Sequence, residues 1–140
     1  MIHFFCPNCW KDFGEDKSVC PFCGFKIWES WDSKNMVEKL IAALSHPDSQ
    51  TAMRAVWLLG EKQDDQVVQP LISLFKRAGD VYPAVEIVRA LSKIGNKEAL
   101  DFLNDARNHP ARMIKNEIKA LLNENEIKIM KEISKNGGVL

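Results

Sequence analysis

RAVWLLG at residues 54–60 and RALSKIG at residues 89–95 are one phrase written twice, 35 positions apart. Arg54, Ala55 and Gly60 recur as Arg89, Ala90 and Gly95, while Val56 and Leu59 return as Leu91 and Ile94. Apolar residues around both phrases fall three to four apart, the period of an amphipathic helix. Outward from them the same period marks helices over residues 35–44, 49–60, 66–78, 82–94, 97–107 and 111–122. His46-Pro47 before the first phrase reappears as His109-Pro110, 63 positions on. Six helices in three similar pairs, none able to bury its apolar face alone, imply stacking of neighbours. The expected fold is therefore all-α, a right-handed α-solenoid of about three helix pairs over residues 34–123. Gly60, Gly79 and Gly95 are expected to end helices, and Pro70 to kink the first helix of the second pair.

The residues Ala55-x3-Leu59-Gly60 followed by Val67-Val68-Gln69-Pro70-Leu71-Ile72 resemble HEAT repeats. So do Ala90-x3-Ile94-Gly95 followed by Glu98-Ala99-Leu100-x2-Leu103, and the short-repeat branch with the phycobilin-lyase-type proteins is the nearest in pattern. The resemblance implies a scaffold whose second helices line a concave binding face. In its lyase-type members it also implies an accessory or lyase-like role, on fold analogy alone. One departure stands out: the family's arginine three residues before the alanine is replaced by Ala52 and Ile87. Stacking is expected to rest on apolar contact instead of a buried Arg–Asp ladder.

Upstream, residues 6–25 read CPNCWKDFGEDKSVCPFCGF and hold all four cysteines of the chain. The spacing Cys6-x2-Cys9-x10-Cys20-x2-Cys23 lets each pair reach one ion from a single tight turn. Backbone amides within such a turn are left to hydrogen-bond the sulfurs. Four thiolates in a tetrahedron suit Zn2+ and leave no position for water, so the metal is expected to be structural. Three alternatives stay open on sequence: two disulfides, a redox pair, and iron, because CPFCG resembles the rubredoxin knuckle. His3 is a further ligand by type, though not by spacing. Cys6, Pro7, Cys9, Cys20, Pro21, Cys23 and Gly24 together resemble a zinc ribbon over residues 1–33. A segment this short needs the ion to fold.

That segment is also crowded with Phe4, Phe5, Trp10, Phe13, Phe22, Phe25, Trp28 and Trp31. They dock on the first helix that follows, or they form an exposed patch for a partner, with Trp10, Trp28 and Trp31 as its candidates. Residues 124–140 are expected to form a capping helix over 126–135 and a disordered Gly137-Gly138-Val139-Leu140 end.

Nineteen basic and nineteen acidic residues cancel, so no global field draws the chain to nucleic acid or anionic membrane. No apolar run approaches the roughly 20 residues of a membrane span, and no signal peptide is evident; a cytoplasmic location is the expectation. There is no nucleophile–base pattern and no phosphate loop, so no enzyme and no small-molecule substrate are expected. The remaining candidates are surface cations: Arg89 and Lys93 on one second helix, Arg112, Lys115 and Lys119 on the next. The first reading is a zinc-containing adaptor that binds a protein partner. The runner-up is a nucleic-acid-associated module that grips phosphates through those five cations.

Overall fold

The computed structural model describes residues 2–137. The chain forms two compact units, Met1–Leu59 and Gly60–Leu140. The first opens with strands β1 (Phe4–Phe5) and β2 (Asp12–Phe13), paired antiparallel with Phe4 opposite Phe13 and Phe5 opposite Asp12. Helices α1 (Ile27–Ser33), α2 (Met36–Ala43) and α3 (Ser49–Lys62) follow. The second unit holds a 3-10 turn (Asp65–Val67), then α4 (Val68–Arg77), α5 (Val81–Ile94), α6 (Lys97–Asp105) and α7 (Arg112–Gly137). The order of the helices α2 to α7 follows the three pairs expected from the repeat, and α4 packs on α5 and α6 on α7.

Local chemistry explains each helix start. Asn35 and Glu38 close a reciprocal capping box on α2, with Asn35 Oδ1 accepting from the Glu38 amide at 2.9 Å. Asp48 Oδ2 accepts from the Thr51 amide and hydroxyl at 3.1 and 2.6 Å. Those two donors hold the Asp48 carboxyl below its usual range. The cap therefore strengthens α3 above the ordinary carboxylate pKa and weakens as acid protonates it. Asp80 caps α5, and Asn96 caps α6. Asn96 Nδ2 also donates to Asp65 Oδ1 at 3.1 Å, tying together the turns that precede α4 and α6.

In the second unit α5 is the central element, packed on α4, α6 and α7. Its Val85, Ile87, Val88, Ala90 and Leu91 are buried, as are Leu71 of α4, Leu103 of α6 and Ile118 of α7. No charged or polar residue is buried among the described residues, so adhesion here is apolar, as Ala52 and Ile87 led us to expect. Polar links run along the rim: Gln63 Nε2 donates to the Lys93 carbonyl at 2.8 Å. Gln69 pairs with Glu98, and Lys93 with Glu61.

Several expectations change. Gly60 does not end α3; the helix runs on to Lys62 and closes at Gln63, whose φ is +53°. Gly60 is instead a contact residue, since a Cβ there would lie 3.0 Å from both Cα and Cβ of Ala90. Gly95, with φ +63°, is the left-handed cap expected of it. Pro70 makes no kink, because the 3-10 turn comes first and Pro70 falls in the first turn of α4, where an amide has no helical partner to lose. The helix expected over 126–135 is the second half of an uninterrupted α7. Its Ile127, Met130 and Ile133 are exposed, so they cover no neighbour among the described residues. Residues 138–140 of the disordered end expected there lie outside the described residues. Helix α1 was not anticipated.

Gly60→Ala should lower unfolding stability by about 1–3 kcal/mol through overpacking against Ala90. Gly79→Ala, whose Cβ meets nothing within 4 Å, should change it little. Urea titration followed by circular dichroism separates the two.

Candidate metal centre

The four cysteine sulfurs lie within 4.8 Å of one another. Cys6 Sγ is 3.7 Å from Cys23 Sγ, and Cys9 Sγ is 3.7 Å from Cys20 Sγ. A tetrahedron with bonds of about 2.3 Å to a central ion has edges of about 3.8 Å. Bonded sulfurs stand about 2.05 Å apart, and all four cysteines are free thiols. The arrangement is the one a single ion needs, and these residues could hold a metal ion.

Two equivalent turns build it. In the first, the Asn8 and Cys9 amides donate to Cys6 Sγ at 3.4 and 3.5 Å. In the second, the Phe22 and Cys23 amides donate to Cys20 Sγ, both at 3.4 Å. The framing bonds also correspond: Trp10 N to the Cys6 carbonyl at 2.8 Å, and Gly24 N to the Cys20 carbonyl at 3.1 Å. Both turns close with a left-handed residue, Gly24 at φ +76° and Trp10 at φ +61°. Glycine takes that conformation freely, whereas a bulky tryptophan is strained there. Something must hold Trp10 in place.

The holder is His46, in the turn between α2 and α3. Its ring meets Phe5 edge-on at 4.5 Å and Trp10 at 5.3 Å between centroids. His46 Nδ1 accepts from the Asp48 amide at 3.0 Å, which requires that nitrogen to be unprotonated. The second His-Pro turn repeats the device: His109 Nδ1 accepts from the Ala111 amide at 3.0 Å, and the ring packs edge-on to Phe75. The recurrence of His46-Pro47 as His109-Pro110 was visible in the sequence, but this packing was not. The available signal was that the aromatics flank cysteines and so must face whatever lies beside the first turn.

Burial and donors divide the sulfurs. Cys6 and Cys20 are buried with Ile27 in a small core on which Phe13, Phe25 and Trp31 pack. The Phe25 amide, then the Asn8 side chain, pull the exposed Cys23 thiol down to about 6. At Cys9 the Lys11 amide also pulls downward, but burial and the neighbouring thiols together push it up to about 11. At Cys20 burial raises the pKa, and the Cys23 and Phe22 amides more than offset it, leaving it lowered. Thiols that titrate this far apart, in mutual contact, form a coupled set in which a cation would stabilise full ionisation.

The other sequence candidates are placed as follows. His3 Nδ1 sits 3.1 Å from Asp12 Oδ2, away from the sulfur cluster. Trp31 is half-buried with the Lys34 ammonium over its ring. Trp28 is exposed, and its indole N–H donates to Asp16 at 3.0 Å. Arg89 is held by Glu86 and Glu117, both at 2.8 Å, and Lys93 by Glu61. Arg112 and Lys119 are exposed and Lys115 is half-buried. The structure thus gathers the four cysteines into one site and leaves the tryptophans and cations dispersed.

His46→Ala should loosen the first turn, with a loss of about 0.5–1.5 kcal/mol per aromatic contact, read as faster amide exchange at Cys9–Lys11. Under limiting alkylating agent at neutral pH, Cys23 should be modified first and buried Cys6 last, by peptide mass mapping.

Among the described residues no helix is long and apolar enough to cross a membrane. No curated protein and no solved structure matches the chain. The family description "HEAT repeats" matches residues 37–122, from the start of α2 into α7. That span exceeds half of the chain and reaches into all three helix pairs, so the chain belongs to the HEAT-repeat family.

Proposed function

We propose that this protein is a non-catalytic HEAT-repeat scaffold that binds another protein and carries one structural Zn2+ on Cys6, Cys9, Cys20 and Cys23. Family membership supports the scaffold, since HEAT repeats suggest a protein-interaction role. The observation that carries the metal reading is four sulfurs within 4.8 Å of one another, with two 3.7 Å edges and four amide donors. All-thiolate ligation with no place for water favours zinc in a structural role over a catalytic one. The double turn over residues 1–33 then reads as a zinc ribbon, and the repeats of residues 34–123 as a right-handed solenoid. Its setting is the cytoplasm, where thiols stay reduced.

The binding surface in this reading includes the second-helix cations and exposed Trp28. Arg89 and Lys93 bring their own carboxylates, which suits specific protein contact better than a general grip on phosphate. The lyase-type branch of the resemblance adds no residue to the site.

Elemental analysis of the purified protein should find one zinc per chain. Chelation, or Cys20→Ser, should raise amide exchange over residues 2–59, because Phe5 and Trp10 link the cluster to His46. Helices within residues 68–122 should keep their protection. A visible iron–thiolate absorption or a metal-free protein with the same exchange pattern would contradict the zinc reading.

A further inference from the structure

The second unit carries a cleft whose lining includes none of the four cysteines. It opens between the α4–α5 and α6–α7 turns and is lined by Phe75, Gly79, Asp80, Ala84, His109 and Ile114 among others. Its floor is apolar, with Ala84 and Ile114 buried and Phe75 standing edge-on to both Phe102 and His109. Gly79 stands at the mouth with open space where a side chain would project.

The charge around this cleft is one-sided. Lys76 and Arg77 end α4 just before the lining residue Ala78. Arg107 and Arg112 flank the lining residues His109 and Ala111 in the chain, against the carboxylates Asp80, which lines the cleft, and Asp105. Asp80 is already engaged as the cap of α5, accepting from the Tyr82 amide. Arg77, Arg107 and Arg112 are exposed and make no ion pair among the described residues, unlike Arg89. Arg112 is the first residue of α7, and neither α5 nor α7 has an acidic side chain in its first turn. A cation at that end opposes the helix dipole, so local stability does not explain it. Tyr82 and Met113, exposed at 69% and 45%, are chain neighbours of the lining residues Val81 and Ile114. Arg, Tyr and Met around an apolar hollow are the residue types that interfaces favour.

We propose that this cleft docks an acidic peptide segment of a partner protein. One apolar side chain enters between Phe75, Ala84 and Ile114 while neighbouring carboxylates meet Arg77, Arg107 and Arg112. The proposal rests on the protein-binding reading above and names the surface and the chemistry of its partner. An apolar floor favours a peptide over a nucleic-acid backbone, which would need the cations but not the hollow.

The test uses the full chain and an acidic octapeptide with a central Leu-Leu, followed by amide chemical shifts. Binding on the order of 10–100 µM is expected for so short a probe, with shifts at Gly79, Ala84 and Ala111. The double change Arg107→Glu and Arg112→Glu should weaken binding at least tenfold with circular dichroism unchanged. Gly79→Leu, which fills the mouth without touching a cation, should do the same. Equal affinity for a Gln/Asn version of the peptide would overturn the proposal, as would tighter binding of a single-stranded oligonucleotide at the same residues. Peptide shifts confined to Arg89, Lys93, Lys115 and Lys119 would overturn it too, yet would leave the scaffold reading standing. Absence of any peptide binding also defeats this site, while capture of a partner by the cleft-filled Gly79→Leu protein would keep the scaffold reading.

Discussion

Four sulfurs within 4.8 Å of one another cannot all be ionised unless a cation lies among them, and this repulsion is the constraint from which the first unit follows. As thiols they would crowd a core of little more than Ile27, Phe13, Phe25 and Trp31, too small to fold a segment of this length. As ligands of one ion they would convert the same crowding into bonds. Each turn presents its backbone amides to a sulfur, and the strained φ of Trp10 is held by the His46 ring. The cluster and the α2–α3 turn are therefore parts of one packed unit, with Phe5 and Trp10 as the link.

Below Gly60 the organising force changes. The second unit has no buried charge among its described residues, and its cohesion is apolar contact around α5. Close approach matters there as much as area, which is why position 60 needs a residue without a Cβ. Hydrogen bonds are kept to the rim, where Asn96, Asp65 and Gln63 tie turn to turn. Apolar stacking leaves the charged side chains at the surface, and Arg77, Arg107 and Arg112, which make no ion pair among the described residues, lie close in the chain to the lining of the apolar cleft.

Much of this was legible in the chain itself. The Cys6, Cys9, Cys20, Cys23 spacing announced one site, because two short turns can converge only where loop length allows. The recurring Arg-Ala phrase announced helix pairs, because a 3.6-residue period survives without any knowledge of neighbours. What failed was whatever depends on a distant partner. Gly60 looked like a cap because glycine readily closes a helix, but its role is set by Ala90, thirty residues on. Pro70 looked like a kink because the 3-10 turn before it leaves no period. The halves of α7 looked separate, although Asn123–Glu126 contains no breaker and Asn125 bonds to Ser92 at 3.2 Å. Trp28 and Trp31 drew attention as aromatics and so concealed the short helix they share.

X-ray absorption at the zinc edge of the purified protein tests the central claim most directly. The account requires four sulfur neighbours at about 2.3 Å and no oxygen or nitrogen in the shell. A shell with a light atom in place of a sulfur, or an absorbing metal other than zinc, would contradict it.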